Sequence, residues 1–392
     1  MVSSISARVL LFGLLASSAL ASSPLAAPAP LCVPQGGRAD QVYRENPRNG
    51  RITTLNGKVI ENTLTTVRME VRGKVESHPA SEILRIEWGM LPPSFRDAET
   101  LLERGDFENA VAQFRIAAGD ASARPVVQAD ARLRAAKALL SWGAKDSTQF
   151  AQAASEAERF LSDHTDNRAV PAAAMLRARA QHMAGSGAQA AANYEALYQK
   201  GVAATQGYDI GLCLSAALAS AQAYLGVGNT LKARELFTAA DTGIASHLNS
   251  LTDASESTLA HLAGQRGTAA AGEGFCLLAG GDANGAQNFF EGRLRKADAT
   301  PAERHASELG LAKVHLAAGK NREALVLFAT VSALEASDRD RVAAALLGLA
   351  ESTLAVGSSS AQADAKRALT QVVESYGDTL SAAEAALRLS KL

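Results

Sequence analysis

The sequence predicts a mainly α-helical fold: a solenoid of about seven irregular helix pairs behind a small β-module. The first observation is a repeat. Gly105, Gly185, Gly228, Gly281, Gly319 and Gly357 each lie seven positions after a small residue: Ala98, Ala178, Ala221, Gly274, Ala312 and Ala350. The second is a pattern downstream of the glycines. Ala110, Phe114 and Ala117 recur as Ala190, Tyr194 and Leu197, as Ala233, Phe237 and Ala240, as Ala286 and Phe290, and as Ala324, Phe328 and Val331. The third is composition: 47% hydrophobic residues with only 5% aromatic suit close-packed helices better than a large sheet.

Each copy reads as two antiparallel helices. Seven residues are about two helical turns, so the small residue lies inside helix A, and the glycine ends that helix in a left-handed conformation. The Ala, aromatic and apolar positions of helix B are spaced by four and three and share one face. The small residues let the helices approach, and the aromatic fills the gap between neighbouring pairs. No pair buries that face alone, so the pairs must stack. The copy at Gly357 is stretched by about three residues before Ala365, Leu369 and Val372. A further pair lies between Gly105 and Gly185. Ala136, Leu139, Leu140 and Gly143 form its helix A, and Ala153, Ala157, Phe160 and Leu161 its helix B after a stretched turn. A closing helix is expected over residues 381–392.

Residues 38–91 have a different period. Residues 51–55, 58–61, 66–71 and 83–88 read as strands, and Val67, Met69 and Val71 alternate with charged residues as in a half-buried strand. Asn56-Gly57 and Arg72-Gly73 are hairpin turn signals. Four or five short strands point to a small barrel that resembles SH3-like and Sm-like barrels. An open edge would accept a partner strand. Pro92-Pro93 separates this module from the first helix.

The N-terminus reads as an export signal. Arg8 precedes an apolar run over residues 9–15, and Ala19-Leu20-Ala21 fits a small-x-small cleavage site, giving a signal peptide over 1–21. The run is shorter than the ~20 residues that span a bilayer. Residues 22–37, with Pro24, Pro28, Pro30 and Pro34, read as a Pro/Ala-rich tether. The expected location is the periplasm or cell envelope, with secretion as the alternative. Ala29-Pro30-Leu31 before Cys32 does not match a lipidation signal, and Cys213 and Cys276 read as buried small hydrophobes in A helices.

No constellation asks for catalysis, a cofactor or a metal. The seven histidines include no pair three or four apart, and Cys-x-x-Cys, Gly-x-Ser-x-Gly and a phosphate loop are all missing from the sequence. Gly226-x-Gly228 and Gly272-x-Gly274 fall in A helices, where packing or termination explains them. The stretch Gly280-Gly281-Asp282-Ala283-Asn284-Gly285 reads as a turn, and Asp338-Arg339-Asp340-Arg341 as a solvated helix terminus. A formal net charge of -1 gives no nucleic-acid footprint.

The repeat resembles the tetratricopeptide repeat. The matching residues are the small residue of helix A, the turn glycine, and the Ala and aromatic of helix B, over residues 94–392. The copies are not 34 residues apart, and the helix B proline of that family is mostly missing. The resemblance implies a concave face lined by helix A. Six residues before the glycine stand Glu99, Lys137, Arg179, Gln222, Phe275, Lys313 and Glu351; three before it stand Leu102, Leu140, His182, Leu225, Leu278, Leu316 and Leu354. Either the leucines form an apolar stripe open to a partner, or they pack on their own helix B and leave only the charged column exposed. Candidate partner-binding residues are therefore Lys137, Arg179, His182, Gln222, Phe275 and Lys313, with an acidic partner as the expected one. Phe160-Leu161-Ser162-Asp163-His164 before an Ala-rich helix and Gly185 resembles envelope-assembly and cell-division repeat proteins, although their proline is missing here. The expected function is a non-catalytic protein–protein interaction scaffold of a bacterial cell envelope that binds a peptide or helix. The alternative is a purely structural module that pairs with copies of itself.

Overall fold

The computed structural model describes residues 39–46, 50–252, 254–336 and 338–392, and the expected signal peptide and tether lie outside them. From Ala39 to Leu392 the chain is one compact unit. Five strands come first: β1 (Asp40–Glu45), β2 (Ile52–Asn62), β3 (Thr66–Val71), β4 (Lys74–Pro79) and β5 (Ile83–Glu87). They form one antiparallel sheet in the order β4-β3-β2-β1-β5, so the last strand returns to pair with the first. Val42, Val59, Val67, Met69, Ile83 and Ile86 make its core.

Two features of the module differ from expectation. β1 carries a strand the residue pattern did not reveal, because its sequence Asp-Gln-Val-Tyr-Arg-Glu has only one aliphatic residue. Asn56-Gly57 is not a turn but lies inside β2, opposite Gln41 and Asp40. A Cβ at Gly57 would stand 2.4 Å from the Glu70 carbonyl oxygen, so the glycine serves close strand approach rather than a reversal. The reversal at Arg72-Gly73 is real: both residues have positive φ, 51° and 78°.

The helices are α1 (Pro93–Glu103), α2 (Phe107–Gly119), α3 (Pro125–Gly143), α4 (Gln149–Asp163), α5 (Val170–Met183), α6 (Gly187–Val202), α7 (Ile210–Gly226) and α8 (Thr230–Ser250). They continue as α9 (Glu256–Ala270), α10 (Gly272–Ala279), α11 (Ala283–Leu294), α12 (Pro301–Ala317), α13 (Asn321–Leu334), α14 (Arg339–Val356), α15 (Ala361–Ser375) and α16 (Leu380–Leu389). Consecutive helices pack as A/B pairs, α1/α2, α3/α4, α5/α6, α7/α8, α10/α11, α12/α13 and α14/α15, and α16 closes the stack. The long interval before Phe290 has a cause. The 21-residue α8 is followed by an extra helix, α9, which runs into α10 with a break at Ala271.

All six repeat glycines adopt the left-handed conformation, with φ between 72° and 87°. Gly143 does not; it is a buried helical residue whose Cβ would meet the Phe150 ring at 2.2 Å. Every helix A small residue is buried, as are Phe114, Tyr194, Phe237, Phe290 and Phe328. The structure shows the seat of each later aromatic. Phe290 lies against Gly274 of its own pair and Gly310 of the next pair, and Phe328 lies against Gly348 of the next.

The β-module is bolted to the solenoid. Asp40 is 1% exposed. Its two carboxylate oxygens each accept from a terminal nitrogen of Arg124 at 2.6 Å, and from the backbone amides of Val59 and Gly89 at 2.7 Å. The same guanidinium donates to the carbonyls of Val59 and Gly89. Trp88 Nε1 donates to Asp130 of α3 at 2.9 Å, and Arg168 before α5 donates to Asn62 Oδ1 and the Ile83 carbonyl.

Phe328→Ala is expected to destabilise the fold by about 3–5 kcal/mol, because the seat on Gly348 leaves an uncollapsed cavity. Gly357→Ala should cost only on the order of 1 kcal/mol, from its left-handed backbone; urea unfolding separates the two. Arg124→Met should cost roughly 3–5 kcal/mol by leaving a buried carboxylate unpaired. Hydrogen exchange should then show that cost as faster exchange across β1 and β2, with the α12–α15 amides unchanged.

Candidate partner-binding face

Packing first decides what the helix A columns can offer. Leu102, Leu140, Leu225, Leu278 and Leu316 are half-buried and pack against the core clusters of their own or adjoining pairs. Leu354, at 38% exposed, is the exception, so among the described residues these leucines form no continuous open stripe. The leucine column is mostly structural, and the column six residues before the glycine is the one left to interact.

The charges of that column are mostly answered within the chain. Glu99 pairs with Arg134 at 2.8 Å, and Glu351 with Arg388 of α16 at 2.7 Å. Arg179 on α5 reaches the turn before α16. It donates to the Asp378 carbonyl, and its guanidinium stands 3.9 Å from the Asp378 carboxylate. Asp378 also accepts from Arg339 at 3.0 Å. The seventh pair and its closing helix thus fold back onto the third pair. Lys137 lies in the field of Asp130, Arg134 and Arg168, beside the β-module, and burial pushes its ammonium pKa down. His182 is half-buried, its Nδ1 has no hydrogen-bond partner among the described residues, and burial lowers its pKa.

The remaining three candidates converge. Gln222 of α7, Phe275 of α10 and Lys313 of α12 line one pocket of about 290 Å³. Leu225 and Leu309 add apolar wall, while Leu380 and Ser381 of α16 close one side. Lys313 Nζ sits 5.6 Å from the centre of the Phe275 ring. More than a third of the Lys313 surface is accessible, but it opens onto the pocket. Desolvation by the surrounding protein lowers its pKa, and Glu351 and Glu384 partly oppose that shift.

The other wall is one that local residue patterns did not reveal. Asp338, Asp340 and Arg341, at the start of α14, line the same pocket. Asp338 caps α14, accepting from the Arg341 amide at 3.1 Å, so its terminal position fits expectation. Arg341 does not: it is 3% exposed rather than solvated. Its guanidinium donates to Glu335, to the Gly264 carbonyl at 2.6 Å, to Thr268 Oγ1 at 2.8 Å and to Asp338 at 3.1 Å. His305 of α12 adds a contact to Glu335 at 3.3 Å. This polar network ties α9, α12 and α14 together and supports the pocket from behind. The alternating Asp-Arg-Asp-Arg was its sequence signal, since arginines alternating with acids at a helix start fit a buried network as well as a wet terminus.

Cys213 and Cys276 are buried and unbridged, and burial pushes both thiols up to about 11. Among the described residues there is no cluster of His, Cys, Asp and Glu able to hold a metal, and no helix is long and apolar enough to cross a membrane. With the native chain at pH 8, a thiol reagent should leave both cysteines unmodified and react with them only on unfolding. Above an unfolded thiol pKa of about 8.5, unfolded thiols ionise while the folded ones stay protonated until about 11, so their contribution to stability falls across that window. Alkylation with mass spectrometry, and unfolding followed between these two values, test both statements.

No protein-family model and no curated protein matches the sequence. Similar solved structures include a tetratricopeptide repeat protein from Parabacteroides merdae, at 15% identity over 76% of this chain and 98% of that one, with a TM-score of 0.45. BtubC from P. vanneervenii is 14% identical over 68% of this chain and 91% of that one, with a TM-score of 0.32. The TPR2AB domain of yeast Sti1, solved as a pHSP90 complex, is 15% identical over 67% of this chain and 97% of its own, with a TM-score of 0.24. Antiparallel A/B pairs, left-handed glycines at their turns, and buried small and aromatic positions at the repeat spacings make the helical region a tetratricopeptide-repeat-like solenoid.

Proposed function

We propose that this protein is a non-catalytic protein-interaction scaffold of the bacterial cell envelope, and that it receives an extended partner segment on its concave face. The observation that carries the reading is the convergence of Gln222, Phe275 and Lys313 in one pocket, built from the helix A positions that intrahelical packing leaves over. Lys313 supplies a cation, Phe275 an apolar and aromatic surface, and Gln222 an amide for a backbone. A partner helix, about 10–12 Å across with its side chains, does not fit a pocket of about 290 Å³. An apolar side chain next to a carboxylate does. Arg179, already engaged by Asp378, acts on the partner only if that contact opens. The envelope location rests on the export signal read from the first 21 residues.

Crosslinking in intact cells followed by mass spectrometry identifies the partner. Capture should fall by about tenfold or more with Phe275→Ala, on the scale of one aromatic anchor, and at least as much with Lys313→Glu. Arg179→Glu should have a smaller effect. Unchanged capture by both pocket variants, with native circular dichroism, would sink the assignment of the concave face. Light scattering tests the self-pairing alternative: a tight homo-oligomer that hides Lys313 from modification would favour it.

A further inference from the structure

The turn between α15 and α16 crosses to the third pair and to the end of α3. Arg179 of α5 donates to the Asp378 carbonyl, and its guanidinium stands 3.9 Å from the Asp378 carboxylate. A Cβ on Gly377 would stand 3.0 Å from that of Ala144, the residue that ends α3. No core cluster holds this junction together. The clusters that contain α5 residues include nothing from α14 to α16, and the cluster that contains α16 includes nothing from α5. The charges at the junction are also wet: the side chains of Arg179, Arg339 and Asp378 are 35%, 62% and 61% exposed.

The turn is held in shape from its own side. Arg339 of α14 donates to the Ser375 carbonyl at 2.8 Å and to the Asp378 carboxylate at 3.0 Å, and it stacks 5.1 Å from the centre of the Tyr376 ring. Asp340 accepts from the Leu380 amide. Covering the seventh pair requires none of these contacts. Ala382 and Ala385 do that, buried with Val342, Leu346 and Leu369, while Arg388 pairs with Glu351 at 2.7 Å. The turn and α16 therefore belong with α14 and α15, and the plane of weakness runs between the turn and α5. Among the described residues Arg179 alone makes a hydrogen bond across it. Exposed ion pairs are individually weak and weaken further with salt, whereas each neighbouring pair of a solenoid is joined by its own apolar interface. Leu380 and Ser381, just after the turn, close one side of the inner pocket that Gln222 and Leu225 of α7 also line.

We propose that this junction is a salt-sensitive latch and that the solenoid is a spring which the latch holds shut. Closed, it draws the seventh pair onto the third and keeps the inner pocket at about 290 Å³. Open, the turn and α16 leave α5 as one body with α14 and α15, and the pocket becomes one wall of a wider groove. The latch is a property of the chain alone and does not rest on the reading of the concave face as a partner site. Its opening would admit occupants that the closed pocket excludes.

Small-angle X-ray scattering on the full chain reads the two states. The radius of gyration should rise as NaCl goes from about 0.01 M to about 1 M, because the screening length falls from about 30 Å to about 3 Å. Arg179→Glu should be expanded already at low salt. Ala144→Cys combined with Gly377→Cys places two thiols within reach of a disulfide. Oxidised, that chain should stay compact at every salt concentration; reduced, it should follow the unaltered one. Hydrogen exchange gives a second reading: residues 376–380 should exchange about tenfold faster or more in Arg179→Glu, the scale of one lost charge-assisted hydrogen bond. Unchanged α14 and α15 amides then separate opening from unfolding. An unaltered chain whose radius ignores salt overturns the proposal, even where Arg179→Glu expands, because the contact is then a fixed tie. So does an Arg179→Glu chain that stays compact, and so does an oxidised double variant that expands with salt. Where the cysteine pair does not bridge, the unaltered chain and Arg179→Glu decide the matter.

Discussion

The seating of a helix B aromatic on a small residue of the following helix A governs the rest of the structure. Phe237 meets Gly272, Phe290 meets Gly310 and Phe328 meets Gly348, each at a distance that no Cβ could share. Close-packed interiors transmit such constraints rigidly. Each seat fixes the offset between one pair and the next, and the offsets accumulate into the turn of the solenoid. A larger side chain at any seat would change the tilt of everything C-terminal to it.

The accumulated turn brings the last pair back to the third. Arg179 reaches Asp378 across 199 residues of sequence, and Leu380 and Ser381 come to lie in the wall of a pocket begun by α7. An open superhelix would expose its inner column to water, and its charges would be ordinary. Here α16 closes one side of the pocket, and desolvation by the surrounding protein lowers the pKa of Lys313 and raises that of Asp340. Packing geometry far from the pocket thus sets the electrostatics inside it.

How much of this could be read from residues depends on the range of each interaction. The turn glycines, the buried alanines and the aromatics are local signals, repeated, and their reading survives. The glycines nine residues before Gly281, Gly319 and Gly357 are also periodic, but they are meaningful only once it is known that they face the previous pair. β1 was hidden because one of its two buried residues is Asp40, a charge whose partner stands 84 residues away. Asn56-Gly57 misled because a tight turn and a close strand contact ask for the same small residue. Within the candidate column, Arg179 and Glu351 are engaged by α16 and the turn before it, which no local pattern could show. That Asp340 lines the pocket was illegible for the same reason: the other walls come from α7, α10, α12 and α16.

The β-module and the pocket use buried charge in opposite ways. Asp40 is inaccessible and accepts four hydrogen bonds, two from Arg124 and two from backbone amides, which is what a buried carboxylate needs to be tolerated. Its role is complete within the chain, and the module it anchors is accordingly part of the scaffold's N-terminal end rather than a loosely hung adaptor. Lys313 and Asp340 differ from it, each leaving more than a third of its surface open and lining a pocket of about 290 Å³. Asp40 is answered entirely within the chain while the pocket's charged side chains remain open, and this difference is the physical ground for treating the inner pocket as a site.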